Sequence, residues 1–168
     1  WQLPTQSSSI INETYNFKVS KLVYDGNSIY FSNNKNEFYS IDLKNGIINW
    51  KNEISSNITP VITGNLIFTV SEDGYLFTIE KNKGNIIRVT DLLKNYKLKK
   101  RKDIKPVGFA IDDTTLYLTN SDGKMILADL SIGNIKTIEK VSGDFVSRPF
   151  IFNQNLFVIR NGSIVQYN

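Results

Sequence analysis

The sequence contains no cysteine and no histidine. Without cysteine, the chain can form neither a disulfide framework nor a thiolate metal site. Without histidine, it lacks the commonest general base and metal ligand, which excludes Ser/His hydrolase triads and histidine-ligated zinc within these residues. No apolar run is long enough to span a bilayer as a helix, and no apolar leader follows Trp1. We therefore expect any targeting segment to have been removed or to lie outside these residues.

The charge of the chain is concentrated in one segment. The 168 residues are 40% hydrophobic and 12% aromatic, as in a folded globular domain, and carry a net charge of +4. Residues 94–105, called the basic loop below, hold seven cationic side chains and one acidic one, hence +6, which leaves −2 for the remainder. A nearly neutral body with one basic segment does not predict nucleic acid as a partner. The cations are Lys94, Lys97, Lys99, Lys100, Arg101, Lys102 and Lys105.

A repeated motif organises the chain. Its first copy, Ser40 to Trp50, has an acid, a polar residue followed by glycine, and an aromatic residue at fixed spacing. The second copy lies 38 residues later and the third a further 49, the larger offset being caused by the basic loop. The motif residues are Asp42, Gly46 and Trp50 in the first copy, Glu80 and Gly84 in the second, and Asp129 and Gly133 in the third.

Short runs rich in β-branched and aromatic residues, separated by turn signals, accompany each copy of the motif. A period of roughly 40 residues with three to four strands is typical of propeller blades. The sequence therefore predicts an all-β chain, a β-propeller fragment of about four blades of four-stranded antiparallel sheet. We place the repeat units at residues 17–59, 60–105, 106–148 and 149–168, with 1–16 as the tail of a preceding unit.

The motif has a structural interpretation. The glycines are expected at a tight turn between the third and fourth strands, and the acids are expected to accept bonds from N–H groups of that turn. Trp50 is expected to lay its indole against the neighbouring blade. We also predict two-residue hairpin turns of the primed type at Lys35-Asn36, Asp73-Gly74, Asp122-Gly123 and Asn161-Gly162. For Asp91 to Lys102, we expect a strand end running into a loop rather than a helix.

The pattern Ser40-Ile41-Asp42, Asn45-Gly46 and Trp50 resembles the tryptophan-docking repeat of pyrroloquinoline-quinone-type propellers. The resemblance covers all four units, although Arg88 and Thr137 stand where the later copies would have tryptophan and the last copy stops early. The superfamily with this repeat includes quinone-dependent dehydrogenases and the propeller lipoprotein of the outer-membrane β-barrel assembly machinery. The end of the chain, Gly162 to Tyr167, resembles the C-terminal part of the latter. This resemblance implies a periplasmic or cell-envelope scaffold.

The alternative is part of a quinone-dependent dehydrogenase whose active-site residues lie outside this sequence. The resemblance then implies pyrroloquinoline quinone, calcium, a vicinal disulfide and an aspartate base. The sequence has no cysteine, and no cluster of aspartate, glutamate and asparagine stands apart from the repeat acids. We therefore predict no catalytic, cofactor-binding or metal-binding residue and no cofactor.

The leading prediction is a non-catalytic scaffold that binds proteins, with outer-membrane assembly components as partners and a partner strand added to a blade edge. The basic loop is the candidate partner-binding segment, either as a solvated loop or as a contact for anionic headgroups, an acidic surface or nucleic acid, with Tyr96 available for stacking. Membrane contact is expected to be only indirect. Either Trp1 to Leu3 supplies the strand missing after Asn168, or two copies form a homodimer that completes a larger propeller.

Overall fold

The computed structural model describes residues 17–143 and 145–167, and within them the chain is almost entirely β. Four antiparallel sheets follow one another along the chain. In each sheet, neighbouring strands are consecutive in sequence, so every sheet is an antiparallel meander. This arrangement confirms the predicted all-β class and corresponds to about four propeller blades.

The first three sheets have four strands each, and sheet 4 has three in the described residues. Sheet 1 consists of β1 (Val23–Tyr24), β2 (Ser28–Asn33), β3 (Glu37–Asp42) and β4 (Ile48–Asn52). Sheet 2 consists of β5 (Val61–Thr63), β6 (Leu66–Val70), β7 (Tyr75–Glu80) and β8 (Ile86–Asp91). Sheet 3 consists of β9 (Pro106–Asp112), β10 (Thr115–Asn120), β11 (Lys124–Asp129) and β12 (Ile135–Lys140), and sheet 4 of β13 (Phe150–Phe152), β14 (Asn155–Arg160) and β15 (Ser163–Tyr167). The expected strand at Trp1 to Leu3 and the tail 1–16 lie outside the described residues.

The middle strands of the sheets carry the core. Four consecutive residues of β3 are buried, so both faces of this strand are covered, whereas its outer neighbour β4 buries only Trp50. Continuous apolar runs are typical of strands buried on two faces, and alternation returns where one face meets water. The aromatic and β-branched residues that predicted the strands are therefore also the residues that stabilise them.

Two compact units divide the chain, and each has its own hydrophobic cluster. The first contains the described part of Trp1–Glu72 together with Phe77–Arg88, and the second contains Asp73–Leu76 with the described part of Val89–Asn168. In the first unit, one cluster is formed by Tyr30, Phe38, Trp50, Ile54, Ile67 and Ile79, and a smaller one by Phe31, Tyr39 and Ile41. The cluster of the second unit is formed by Met125, Val141, Val146, Leu156 and Val158.

The expectation of no helix within Asp91 to Lys102 is wrong, because this segment contains a single helical turn. Strand β8 ends at Asp91 and Leu92 and Leu93 are buried, but a four-residue helix, α1 (Leu98–Arg101), follows. Helix α1 buries none of its residues, so no apolar stripe exists for a periodicity argument to detect. Good helix-forming residues (Leu, Lys and Arg) make the turn locally favourable.

The predicted primed two-residue turns are wrong at three of the four positions. Of the four, only Asn161-Gly162 joins two strands through two residues that both have positive φ, 48° and 74°. A second such turn, at Asn153-Gln154 between β13 and β14, was not predicted. The loops at the other three predicted positions are longer: three residues separate β2 from β3 and β10 from β11, and four separate β6 from β7. In each of these, positive φ falls on the residue before the next strand, which is Asn36, Gly74 or Gly123. A residue with positive φ at that position is common in three-residue hairpin loops.

Candidate functional site

Each of the three repeat acids caps its own turn between the third and fourth strands of a sheet. The Asp42 Oδ1 atom accepts hydrogen bonds from the backbone N–H groups of Lys44 at 2.9 Å and Asn45 at 3.0 Å. These bonds satisfy turn donors that would otherwise face solvent. The equivalent bonds run to Glu80 from Asn82 and Lys83, both 3.1 Å, and to Asp129 from Ser131 at 2.8 Å and Ile132 at 3.2 Å.

The repeat glycines close the same turns. Gly46, Gly84 and Gly133 have φ of 74°, 74° and 76°, values that a side chain disfavours. Each glycine N–H donates to the backbone carbonyl of its repeat acid, at 2.9, 2.9 and 2.8 Å respectively. The three turns therefore share one geometry, and their acids and glycines are part of the construction of the sheets.

Asp129 shows the electrostatic consequence of capping. Its carboxylate accepts bonds from the Ser131 hydroxyl and from the backbone N–H groups of Ser131 and Ile132, and these lower its pKa to about 2. Lys136 lies 3.5 Å away and favours the ionised form further. Such a carboxylate is ionised at neutral pH, which suits a turn cap and not a proton donor.

Trp50 joins sheet 1 to the turn of sheet 2, within the first unit. Its indole Nε1–H donates to the carbonyl of Lys81 at 2.8 Å, and its ring lies against Gly84, where an added Cβ would approach Cδ2 to 2.5 Å. On its own sheet the ring stacks on Phe38, with centroids 5.6 Å apart. Only 9% of Trp50 is exposed. The aromatic and the glycine of successive repeats are thus brought into direct contact.

The described residues do not fit the quinone and calcium ion of the dehydrogenase alternative. A quinone that stacks on tryptophan needs an exposed indole face, and the Trp50 ring is buried against Phe38 and Gly84. The repeat acids already accept hydrogen bonds from their own turns. In residues 17–143 and 145–167, no group of three or more histidine, cysteine, aspartate or glutamate side chains is arranged to hold a metal ion.

The basic loop is an ordered excursion between β8 and β9. Arg101 donates from Nη1 to Asp91 Oδ2 at 2.7 Å and from Nε to the carbonyl of Tyr96 at 3.2 Å. At the end of the loop, Ile104 is buried. Among the predicted partner-binding cations, Arg101 is therefore used inside the loop, while the side chains of Lys94, Lys97, Lys99, Lys100 and Lys102 are exposed.

Tyr96, which the sequence offers for stacking on a base, is half-buried and has a lysine over its ring. Its hydroxyl is buried, and the Lys124 Nζ atom lies over its ring, 5.0 Å from the centroid. Burial and the nearby Asp122 carboxylate raise the pKa of Tyr96 to about 12. The half-buried ring therefore anchors the loop to the hairpin between β10 and β11 through its contacts with Asp122 and Lys124.

A polar cavity of about 380 Å³ in the first unit was not predicted from the sequence. At its wall, Asp25 Oδ1 accepts from the backbone N–H groups of Asn27 and Ser28, while Oδ2 accepts from the Tyr30 hydroxyl and Lys81 Nζ, both at 3.0 Å. Burial raises the pKa of Asp25, but these four bonds lower it more, so it lies well below the usual range. The sequence signalled only a turn at Asp25, because Lys81 comes from another sheet.

Strand β8 stands out among the outer strands of the three four-stranded sheets. Ile86, Ile87 and Val89 are 45%, 59% and 49% exposed, although they lie in the last strand of sheet 2. The outer strands of sheets 1 and 3 carry lysines instead, Lys51 in β4 and Lys136 and Lys140 in β12. Charged residues, especially lysine, on an outer strand discourage pairing with another chain. Strand β8 lacks lysine.

No helix in the described part of the chain is both long and apolar enough to cross a membrane.

Comparison with known proteins assigns the chain to a family. The model of the family described as outer membrane protein assembly factor BamB matches residues 1–90, more than half of the sequence. The chain belongs to this family. The match includes the first two copies of the BamB-family repeat found here, with Trp50 and the turn glycine against which it packs. No curated protein sequence matches the chain.

Solved structures show the same propeller fold. BamB from Moraxella catarrhalis superposes with a TM-score of 0.69 at 15% identity, over 88% of this chain and 41% of that one. The computationally designed Ika4 protein gives 0.69 at 11% identity, over 89% of both chains. The β-propeller domain of Cps50 (Swd1) from Myceliophteria thermophila gives 0.64 at 10% identity, over 83% of this chain and 48% of that one. The BamB-family chain described here thus spans 41% of the length of the BamB structure.

Proposed function

We propose that this chain is a non-catalytic propeller scaffold, located in the periplasm or at the cell envelope, that binds other proteins in outer-membrane protein assembly. Two observations support the proposal: the family to which the chain belongs is described as an outer-membrane assembly factor, and its repeat acids and Trp50 are occupied in building the sheets. The scaffold role requires no cofactor. Because the repeat residues build the sheets, we expect the binding surfaces to lie outside the repeat motif.

The observation that carries the proposal is the apolar outer strand β8. Ile87 and Val89 alternate along the strand, so both side chains project from one face of the sheet, while the adjacent residues project from the other. Both are about half exposed. An outer strand with exposed apolar residues and no lysine is a template for pairing with another chain. The two charged residues of β8 are Arg88, which alternation places on the face opposite Ile87 and Val89, and Asp91, which is paired with Arg101.

The mode that fits this strand is the addition of a partner strand along the β8 edge. In that mode, main-chain hydrogen bonds supply affinity, and alternate side chains supply specificity. A partner segment with apolar residues at every second position would cover Ile87 and Val89. The partner class that we propose is an extended segment of another outer-membrane assembly component.

Substitution of both exposed residues by lysine tests this surface. The double variant Ile87→Lys, Val89→Lys is expected to weaken binding to purified assembly components by at least about tenfold, because lysines on an outer strand oppose pairing. Surface plasmon resonance measures the affinity, and hydrogen exchange of the β8 amides locates the contact. The matched control is Ile47→Lys, Ile132→Lys, since these isoleucines are 63% and 64% exposed but lie in turns.

Equal affinity for wild type and the β8 variant would contradict the proposed surface, and no binding by wild type would contradict the scaffold role. The same variants also test whether a second copy of this chain, instead of another protein, pairs with β8. If light scattering shows a homodimer that dissociates on Ile87→Lys, Val89→Lys, strand β8 pairs two copies of this chain. The proposed heterologous contact at β8 would then be wrong.

A further inference from the structure

The basic loop has a fixed shape. Arg101 links α1 to the end of β8 through Asp91, and the backbone N–H groups of Lys100 and Ile104 donate to the carbonyls of Lys97 and Arg101 at 2.8 and 3.1 Å. Buried residues precede and follow the exposed segment, namely Leu92, Leu93 and Ile104. The loop therefore presents its outer side chains without first having to be ordered, which lowers the entropy cost of binding.

The outward charge of the loop is carried by lysine. Lys94, Lys97, Lys99, Lys100, Lys102 and Lys105 are exposed, and within the described residues none of the six forms an ion pair. The arginine, whose planar group suits bidentate recognition of a carboxylate, is already paired to Asp91. Compact, strongly hydrated lysine charges suit a diffuse anionic surface more than a defined carboxylate on a protein.

Leu98 lies among these lysines and is 81% exposed, the most exposed of the large hydrophobic residues in the described chain. It stands at the first position of α1, directly after Lys97 and before Lys99 and Lys100. An apolar side chain surrounded by lysines is the arrangement by which peripheral proteins enter the boundary between headgroups and acyl chains. Nucleic acid, with its exposed phosphate backbone, offers no apolar layer for Leu98. Lys124 also covers one face of the half-buried Tyr96 ring, the aromatic group of the loop on which a base of single-stranded nucleic acid would stack.

We propose that the basic loop binds the surface of an anionic phospholipid bilayer directly, with Leu98 entering the interface and the surrounding lysines contacting the headgroup phosphates. This contact goes beyond the proposed protein-binding role and uses residues separate from β8. It also departs from the expectation that membrane contact is only indirect. Charge complementarity supplies most of the attraction, since each lysine near an anionic membrane strengthens binding by roughly fivefold.

Vesicle binding tests the proposal with the full chain. Vesicles of equimolar phosphatidylcholine and phosphatidylglycerol are compared with vesicles of phosphatidylcholine alone in a sedimentation assay. Wild type is expected to bind the former and not the latter. The variant Lys97→Gln, Lys99→Gln, Lys100→Gln is expected to bind roughly a hundredfold more weakly. Leu98→Ser is expected to lose about tenfold, because it removes one buried apolar side chain.

The matched control is Lys21→Gln, Lys44→Gln, Lys83→Gln, which removes the same charge from exposed lysines outside the loop. It is expected to bind the mixed vesicles nearly as wild type does. Equal losses in the control and loop variants would overturn the proposal, since net charge alone would then explain binding. Absence of wild-type binding to the mixed vesicles would overturn it too.

Two further ligands decide between classes of partner. Wild type and Leu98→Ser are titrated with poly-glutamate and with a single-stranded oligonucleotide. Loss of vesicle affinity on Leu98→Ser, with no change toward either polymer, supports insertion into a bilayer. If poly-glutamate or the oligonucleotide binds the loop more tightly than the mixed vesicles do, the surface belongs to a protein or nucleic-acid partner and the proposal is wrong. Purified assembly components that bind wild type and the loop variant equally would show that the two proposed surfaces are independent.

Discussion

At the scale of single residues, the contact between Trp50 and Gly84 explains why the repeat combines an aromatic residue with a glycine. The glycine serves the turn through its positive φ of 74° and also leaves room for the indole of the preceding repeat. Asn52 reinforces the contact, since its Nδ2 donates to the Gly84 carbonyl at 2.8 Å. A single position therefore satisfies a backbone requirement and a packing requirement together.

Substitution of Gly84 by alanine tests the packing requirement, when it is compared with the same substitution at a turn glycine that no side chain contacts. We expect Gly84→Ala to lower the free energy of unfolding by about 3 kcal/mol, because the Cβ would meet the indole and because positive φ disfavours a side chain. Gly64→Ala is the matched control, since Gly64 also has positive φ, 56°, but nothing lies within 4 Å of an added Cβ. We expect the control to cost about 1 kcal/mol.

Urea unfolding followed by circular dichroism measures both variants. Equal losses for Gly84→Ala and Gly64→Ala would show that the Trp50 contact contributes nothing beyond the turn conformation.

Residue roles could be predicted where they repeat in sequence. The capping acids and turn glycines recur in register, so their local function was evident from Asp42, Glu80 and Asp129 alone. The network around Asp25 could not be predicted, because it depends on Lys81 reaching across from another sheet. The contact between Tyr96 and Lys124 could not be predicted for the same reason, since Lys124 lies in β11.

At the scale of elements, the basic loop depends on one internal ion pair for its order. We expect Arg101→Gln to increase hydrogen exchange at the Lys100 and Ile104 amides severalfold, because α1 loses its link to Asp91 and to the Tyr96 carbonyl. The pair is partly exposed, so the global free energy of unfolding should change by less than about 1 kcal/mol. Exchange measured by mass spectrometry, with Lys99→Gln as control, checks this prediction. Unchanged protection in Arg101→Gln would show that the buried residues flanking the loop suffice to order it.

The sequence predicted the strands better than it predicted the short helix or the lengths of the hairpin loops. Consecutive β-branched and aromatic residues predict strands β2 and β3, whereas α1 has no buried face and hence no periodic pattern of apolar residues. The hairpin loops were mistaken for two-residue turns because Asp-Gly and Lys-Asn pairs are compatible with more than one loop length. Loop length is decided by where strand pairing ends, and that depends on the whole sheet.

At the scale of the molecule, the fold followed from the repeat because a blade-length period admits few architectures. The placement of the unit boundaries and the pairing of two copies stay predictions. Function was less accessible, since a propeller supports many activities and the informative surfaces, β8 and the basic loop, lie outside the repeat. The lack of lysine that sets β8 apart from β4 and β12 can be read from the sequence, but its meaning depends on the sheet order and on the exposure of Ile87 and Val89.

The scaffold role predicts that the chain neither binds pyrroloquinoline quinone nor gains dehydrogenase activity from it. The indole that would stack on a quinone is buried on Phe38 and Gly84, and the repeat carboxylates are engaged by their turns. Titration of the full chain with the quinone and calcium should leave the absorbance spectrum of the quinone unchanged and support no dye reduction with alcohols or glucose. A quinone-dependent dehydrogenase assayed in parallel is the positive control. A stoichiometric spectral change would contradict the scaffold role, because binding would require a site that the repeat residues do not provide.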